Sequence, residues 1–155
     1  MKGFTLIETL LYFGLFAMLA GGGIAATYGI IVSTARSADR VAIASEADFL
    51  SAKVDWMLAG LAASDVMSPT SGASGTLEVS RSGTTLRLEA RETDATLTRG
   101  AGTASVLNGG GVHVSALRFT RSVGPDAVTT SFTLSASSSG PVVSQGFTFT
   151  NYLLP

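Results

Sequence analysis

Cysteine is absent from this chain. Disulfide frameworks, thiolate ligands and thiol nucleophiles are excluded with it, so any folded part is held by core packing alone. Histidine occurs once, at His113, between Val112 and Val114 in an alternating pattern. No Cys, second His or carboxylate cluster supports it, so it reads as a polar strand residue and not as a catalytic base or metal ligand. Charge is also scarce. Asp, Glu, Lys and Arg make up 14% of the residues, against the ~25% usual in soluble domains. The basic residues are dispersed and the net charge is −1, so no nucleic-acid footprint is visible. Carboxylates stand singly or beside arginines, as at Arg91-Glu92 and Asp94, which is a solvated face and not the paired acids of a hydrolase. Asp126, in Gly124-Pro125-Asp126, offers one carboxylate where calcium takes about six to eight oxygens. The glycine-rich stretches at 100–102 and 109–111 lack a P-loop lysine and a following helix, so they are loops. The chain is expected to be no enzyme and to need no cofactor or metal.

What the chain does have is one long apolar stretch at its start. Hydrophobic residues are 46% of the 155, with much of that in the first third. From Thr9 to Val32 there is no charge. At ~1.5 Å per helical residue this run is about 36 Å long, enough to cross a ~30 Å hydrocarbon core with some tilt. Its Leu, Ile, Phe and Val residues supply about −3 to −6 kcal/mol towards insertion, before the glycines are set against them. Insertion is therefore moderate. Three readings of this segment compete. A secretory signal peptide has a longer basic leader and a shorter apolar core, and here Ala20-Gly21-Gly22 is followed by more apolar residues. A plain signal anchor fits the length, but not Glu8, a carboxylate at the edge of the run with no second charge beside it. Gly21-Gly22-Gly23-Ile24-Ala25-Ala26 satisfies GxGxxA, with Glu46 about twenty residues on, yet no strand–helix units follow it.

The residues around Glu8 carry a resemblance. Gly3-Phe4-Thr5-Leu6-Ile7-Glu8, after the short basic leader with Lys2 and before an apolar helix, resembles the prepilin signature of type IV pilins and pseudopilins. The resemblance implies cleavage between Gly3 and Phe4 by a prepilin peptidase on the cytoplasmic side, and N-methylation of Phe4. It implies that Glu8 pairs with the N-terminal amine of a neighbouring subunit, which offsets the cost of both charges in an apolar setting and sets axial register. A snorkelling Glu8 near the headgroups is the plainer alternative. Gly21, Gly22 and Gly23 each cost ~1 kcal/mol in a helix relative to Ala. Helix–helix packing through Gly22/Ala26 and Ala25/Gly29 is one explanation. Local unwinding in the assembled filament, as in related filaments, is the other.

After Ser33 the chain turns polar but keeps the helical period. Ile43, Ala47, Leu50, Val54, Met57 and Leu61 form one apolar stripe, with Phe49 and Trp56 beside it. Arg36, Asp39, Arg40, Glu46, Lys53 and Asp55 take the other faces. One helix is expected from about Thr5 to Ala62. Residues 64–75 read as a breaker-rich linker. The period then becomes two: a hairpin over 77–80 and 86–91 with a turn at Ser82-Gly83, a strand over 95–99, and a strand over 112–122 with a bulge near Ser115-Ala116. Strands over 128–136, with Phe132 and Leu134 inward, and 142–154, with Phe147 and Phe149 on one face, close the domain.

The expected fold is α+β, a long N-terminal helix, half transmembrane, on an antiparallel β-sheet head of four to six strands. Its divisions are a leader (1–3), a membrane or filament-core helix (4–32), an amphipathic helix half (33–62) and a sheet head (63–155). Gly111-Val112-x-Val114-x-x-Leu117-x-Phe119 and the alternating strand after it are similar to minor pilins and minor pseudopilins of the tip-complex type. The cysteine-bounded C-terminal loop of many major pilins is absent. The resemblance thus implies a filament subunit, inserted in the inner membrane before assembly and extracytoplasmic afterwards. Its implied partners are other pilin or pseudopilin subunits, the peptidase, an inner-membrane assembly platform and membrane lipid. A major pilin, or an unprocessed single-pass anchored binding domain, is the alternative.

Overall fold

A computed structural model describes residues 5–138 and 141–154. One helix, α1 (Leu6–Leu58), precedes nine strands. These are β1 (Val66–Ser68), β2 (Gly72–Ser74), β3 (Thr76–Arg81), β4 (Thr84–Arg91), β5 (Asp94–Arg99), β6 (Ser105–Val106), β7 (Val112–Ser122), β8 (Ala127–Ala136) and β9 (Val143–Tyr152). They form two antiparallel sheets, β1-β3-β4-β5-β6 and β2-β7-β8-β9. The α+β layout with a long N-terminal helix is thus the observed one.

At 53 residues α1 is roughly 80 Å long. Its second half is the wall on which both sheets pack. Every member of the stripe Ile43, Ala47, Leu50, Val54, Met57 and Leu61 is buried. Val54, Met57 and Leu58 pack with Leu77, Val79, Leu86 and Leu88 of the first sheet and with Phe119 and Val128 of the second. Ile43, Ala47 and Leu50 pack with Ala95, Val112, Val114, Phe132 and Leu134. Phe132 stacks on Phe147 at 5.5 Å and meets Phe149 edge-on at 6.1 Å.

The strands follow the alternation in the sequence. In the β3–β4 hairpin Val79 faces Leu86 and Leu77 faces Leu88. Its turn residues Ser82 and Gly83 have φ of 50° and 74°, the left-handed pair a two-residue hairpin turn requires. In β7 the register against β8 slips between Ser115 and Arg118, and Ala116 has φ of 53°. This is the expected bulge, and it moves the inward parity from Val114 to Phe119. Val112 and Val114 are buried and His113 between them is exposed.

Four expectations need correction. The helix stops at Leu58, not Ala62, because Gly60 takes a left-handed φ of 73° that turns the chain out of the helix. The stretch 64–75 is not a bare linker: after a 3-10 turn at Ala63–Asp65 it gives β1 to one sheet and β2 to the other. The six longer strands match expectation, but they divide between two sheets, and the short β1, β2 and β6 join their edges. Asp39 does not lie on a solvated face. It is buried where α1 enters the head, and its Oδ2 accepts a 3.4 Å hydrogen bond from the Ser138 amide.

Candidate functional site

The half of α1 before Asp39 buries no described residue in the head. Every described residue from Leu6 to Ala38 is exposed or half-buried. Leu10, Leu11, Tyr12 and Phe13 sweep a full helical turn, and each is more than half exposed. Leu19 is 76% exposed and Ile24 73%. A helix apolar on all sides is stable only when something covers all its sides. α1 is the one helix among the described residues long and apolar enough to cross a membrane, with a mean hydropathy of 1.9 in its most apolar window and none of that window buried. This is compatible with a single-pass membrane anchor.

Three threonine hydroxyls in this half are already satisfied within the helix. Thr9 donates to the Leu6 carbonyl at 2.8 Å, Thr27 to Gly23 at 2.9 Å and Thr34 to Ile30 at 2.9 Å. None of them needs water, which suits an apolar surrounding. Glu8 differs. It sits in the first turn, half-buried, and its carboxylate forms no ion pair with another described residue. Gly3 and Phe4, the expected cleavage and methylation positions, lie outside the described residues.

Gly21, Gly22 and Gly23 lie within continuous α-helix. The GxGxxA stretch is therefore neither strand nor turn. A Cβ added at any of the three would meet no atom within 4 Å. Nothing inside this chain requires glycine there. Beside them runs an open apolar groove of about 530 Å³, lined by Ala20, Gly23, Ile24, Thr27, Tyr28 and Ile31.

The head is held by polar contacts that the sequence pattern does not single out, one of them to α1. Glu46 Oε1 accepts from the Gly109 amide at 3.2 Å. Asn108 accepts from the Ala95 amide at 2.8 Å and donates to Val112 O at 2.7 Å and Asp94 Oδ1 at 3.0 Å. Arg121 donates to Ala63 O at 2.9 Å and Val66 O at 3.3 Å, and lies 3.6 Å from Asp126. Asp126 is therefore the partner of an arginine. Among the described residues no three of His, Asp and Glu converge on a point that holds a metal. No protein-family model, curated protein or solved structure matches the chain.

Proposed function

We propose that this chain is a structural subunit of a type IV pilus-like or type II secretion-like filament, and not an enzyme. One observation carries the reading. A single helix has an amphipathic half built into a head and an all-round apolar half, 0% buried in its most hydrophobic window, that the chain leaves uncovered. Lipid covers it first, as a single-pass inner-membrane segment. The same helices of neighbouring subunits cover it after assembly, with the head outside the cytoplasm. The Gly3-Phe4-Thr5-Leu6-Ile7-Glu8 stretch, similar to the prepilin signature, supports cleavage after Gly3, methylation of Phe4 and delivery to an assembly platform. In this scheme Glu8 neutralises the Phe4 amine of the next subunit, and bringing the two together offsets the cost of each in an apolar core. The Gly111–Leu134 pattern supports a minor pilin or pseudopilin in preference to a major one.

Two measurements test the proposal. The intact mass of the membrane-extracted protein is expected to show loss of Met1–Gly3 and gain of one methyl group. An uncleaved N-terminus would leave a plain anchored domain. Glu8→Ala is expected to insert normally and to be depleted at least ~10-fold from sheared filaments, the effect of about 1.4 kcal/mol. Wild-type incorporation of that variant refutes the pairing.

A further inference from the structure

The distal end of the head carries an unneutralised cationic cleft. Trp56, near the end of α1, is 46% exposed. Lys53 Nζ lies 4.6 Å and Arg81 Cζ 5.2 Å from its ring centroid, and Arg81 also donates to the Trp56 carbonyl. Trp56 and Arg81, joined by Arg99, line a cleft of about 240 Å³ whose walls include Ser82 and Leu86 and no carboxylate; Lys53 stands over the same indole. Lys53, Arg81 and Arg99 form no ion pair with a described residue. Three like charges around a half-exposed indole repel one another in the lone chain. A carboxylate entering the cleft would relieve that repulsion, and aromatic–arginine clusters of this kind are where interface energy concentrates.

The opposite end of the same strand carries the complement. Glu92 is at the apex of the β4–β5 turn, exposed, and pairs with no described residue. Its φ is 55°, a left-handed conformation that costs a residue with a side chain ~1 kcal/mol or more and that glycine takes freely. The other exposed acids among the described residues, Asp48 and Asp55, lie along α1 and not at the apex of a turn.

Direction along the molecule fixes how the two ends meet. β4 is 8 residues long, so it separates the Ser82-Gly83 turn from the Glu92 turn by on the order of 26 Å. Trp56 is near the distal end of α1, whereas Ala95, beside the Glu92 turn, packs with Ile43 and Ala47 at the membrane-proximal end of the head. Cleft and apex therefore face opposite ways along α1. We propose that the cleft beside Trp56 receives the Glu92 turn of a second copy of this chain, stacked above the first along the α1 axis. Such a contact is heterologous: each copy offers one free cleft and one free apex, so it propagates without closing. It rests on the filament reading above, in the form where successive positions are copies of this chain and not a single minor subunit, and supplies that reading with a contact between heads.

The absence of cysteine makes the test clean. Ser82→Cys and Thr93→Cys together place one thiol at each end of the contact and keep Glu92. The two sites are too far apart within one chain to join, because a disulfide needs Cα atoms within ~7 Å. The full chain is oxidised both in detergent and in sheared filaments, and read on a non-reducing gel. A ladder of multimers from the double variant is expected, with each single variant remaining monomeric because a heterologous contact sets no second thiol opposite a lone one. Glu92→Arg in that background is expected to cut the ladder roughly tenfold or more, and Arg99→Glu added to it to restore it. Matched thermal melts show that these exposed changes leave the head folded. Monomers alone in both preparations, or a ladder indifferent to Glu92→Arg, overturns the contact. Filaments lacking the ladder overturn it while leaving the filament reading intact. A ladder in detergent from a chain never found in filaments upholds the contact and overturns that reading instead.

Discussion

Arg121 ties β7 to the segment that leaves α1, through the Ala63 and Val66 carbonyls, and Arg121→Met separates its polar work from its packing. Its side chain is 12% exposed, so water does not readily replace it. The bond from Nη2 to Ala63 O, at 2.9 Å, is charge-assisted and short; such bonds contribute ~1.5–3 kcal/mol. The bond to Val66 O is longer, at 3.3 Å, and we assign it about half of that. Asp126 is 34% exposed and 3.6 Å away, which makes its share about 0–1 kcal/mol. Against these stands the desolvation of a guanidinium whose Nε is buried without a partner. Met removes that cost, on the order of 1–2 kcal/mol. The net expectation is a loss of about 2–3 kcal/mol, or a fall in Tm of about 10 °C for a head of this size.

Urea unfolding of the full chain in detergent, followed by the fluorescence of Trp56, measures this loss. Trp56 is the only tryptophan, and its contacts with Lys53 and Arg81 depend on the folded head. The slope of the transition is expected to stay constant while the midpoint falls. Arg121→Lys, with a single ammonium in place of the fork, is expected to recover about half of the loss. A Met variant within ~0.5 kcal/mol of wild type refutes the reasoning, because a change that small is what surface substitutions give.

Two further predictions separate the halves of α1 and test a loop. Ile43→Ala, at a position 0% exposed, is expected to cost the head about 2–5 kcal/mol, while Leu19→Ala leaves the head's midpoint unchanged and weakens only membrane extraction resistance. Paired urea titrations and carbonate washes check both. Asn108→Ala removes three hydrogen bonds and is expected to cost about 2–3 kcal/mol, with faster hydrogen exchange at the Ala95 amide than at β8 amides.

The parts of the fold legible in the sequence are those set by local periodicity. The stripe from Ile43 to Leu61 needs only the 3.6-residue period, and Ser82-Gly83 needs only the chemistry of a tight turn. The bulge at Ala116 showed itself as a change of parity between Val114 and Phe119. What escaped depends on partners remote in sequence. β1 and β2 are three residues each, and they are strands only because β3 and β7 offer edges to pair with. Asp39 looked solvated because its helix face is polar, and only the fold brings the Ser138 amide to it. Arg121 sits between residues of ordinary strand alternation, so no pattern marks it. Gly60 was the missed local signal: a glycine just past the last helical turn is a stop.

The three glycines of the exposed half tie energetics to the proposed function. Each costs ~1 kcal/mol against Ala in a helix interior, and no contact within the chain repays it, since the space around every one of them is open. Removing that cost with Gly21→Ala, Gly22→Ala and Gly23→Ala is expected to stiffen the helix by about 2–3 kcal/mol and to favour insertion by a similar sign. If the glycines serve only the membrane anchor, the triple variant is a better anchor and nothing else changes. If they serve assembly, by close helix packing or by unwinding as the subunit leaves lipid, the variant accumulates in the membrane and is depleted from filaments. The two cases part again in a filament map of the wild type. Continuous α-helix through Gly21–Gly23, with a neighbouring helix against them, assigns the glycines to packing and refutes unwinding. A break in the helix there assigns them to the transfer from one solvent to the other. Equal filament incorporation of the triple variant and wild type removes both roles.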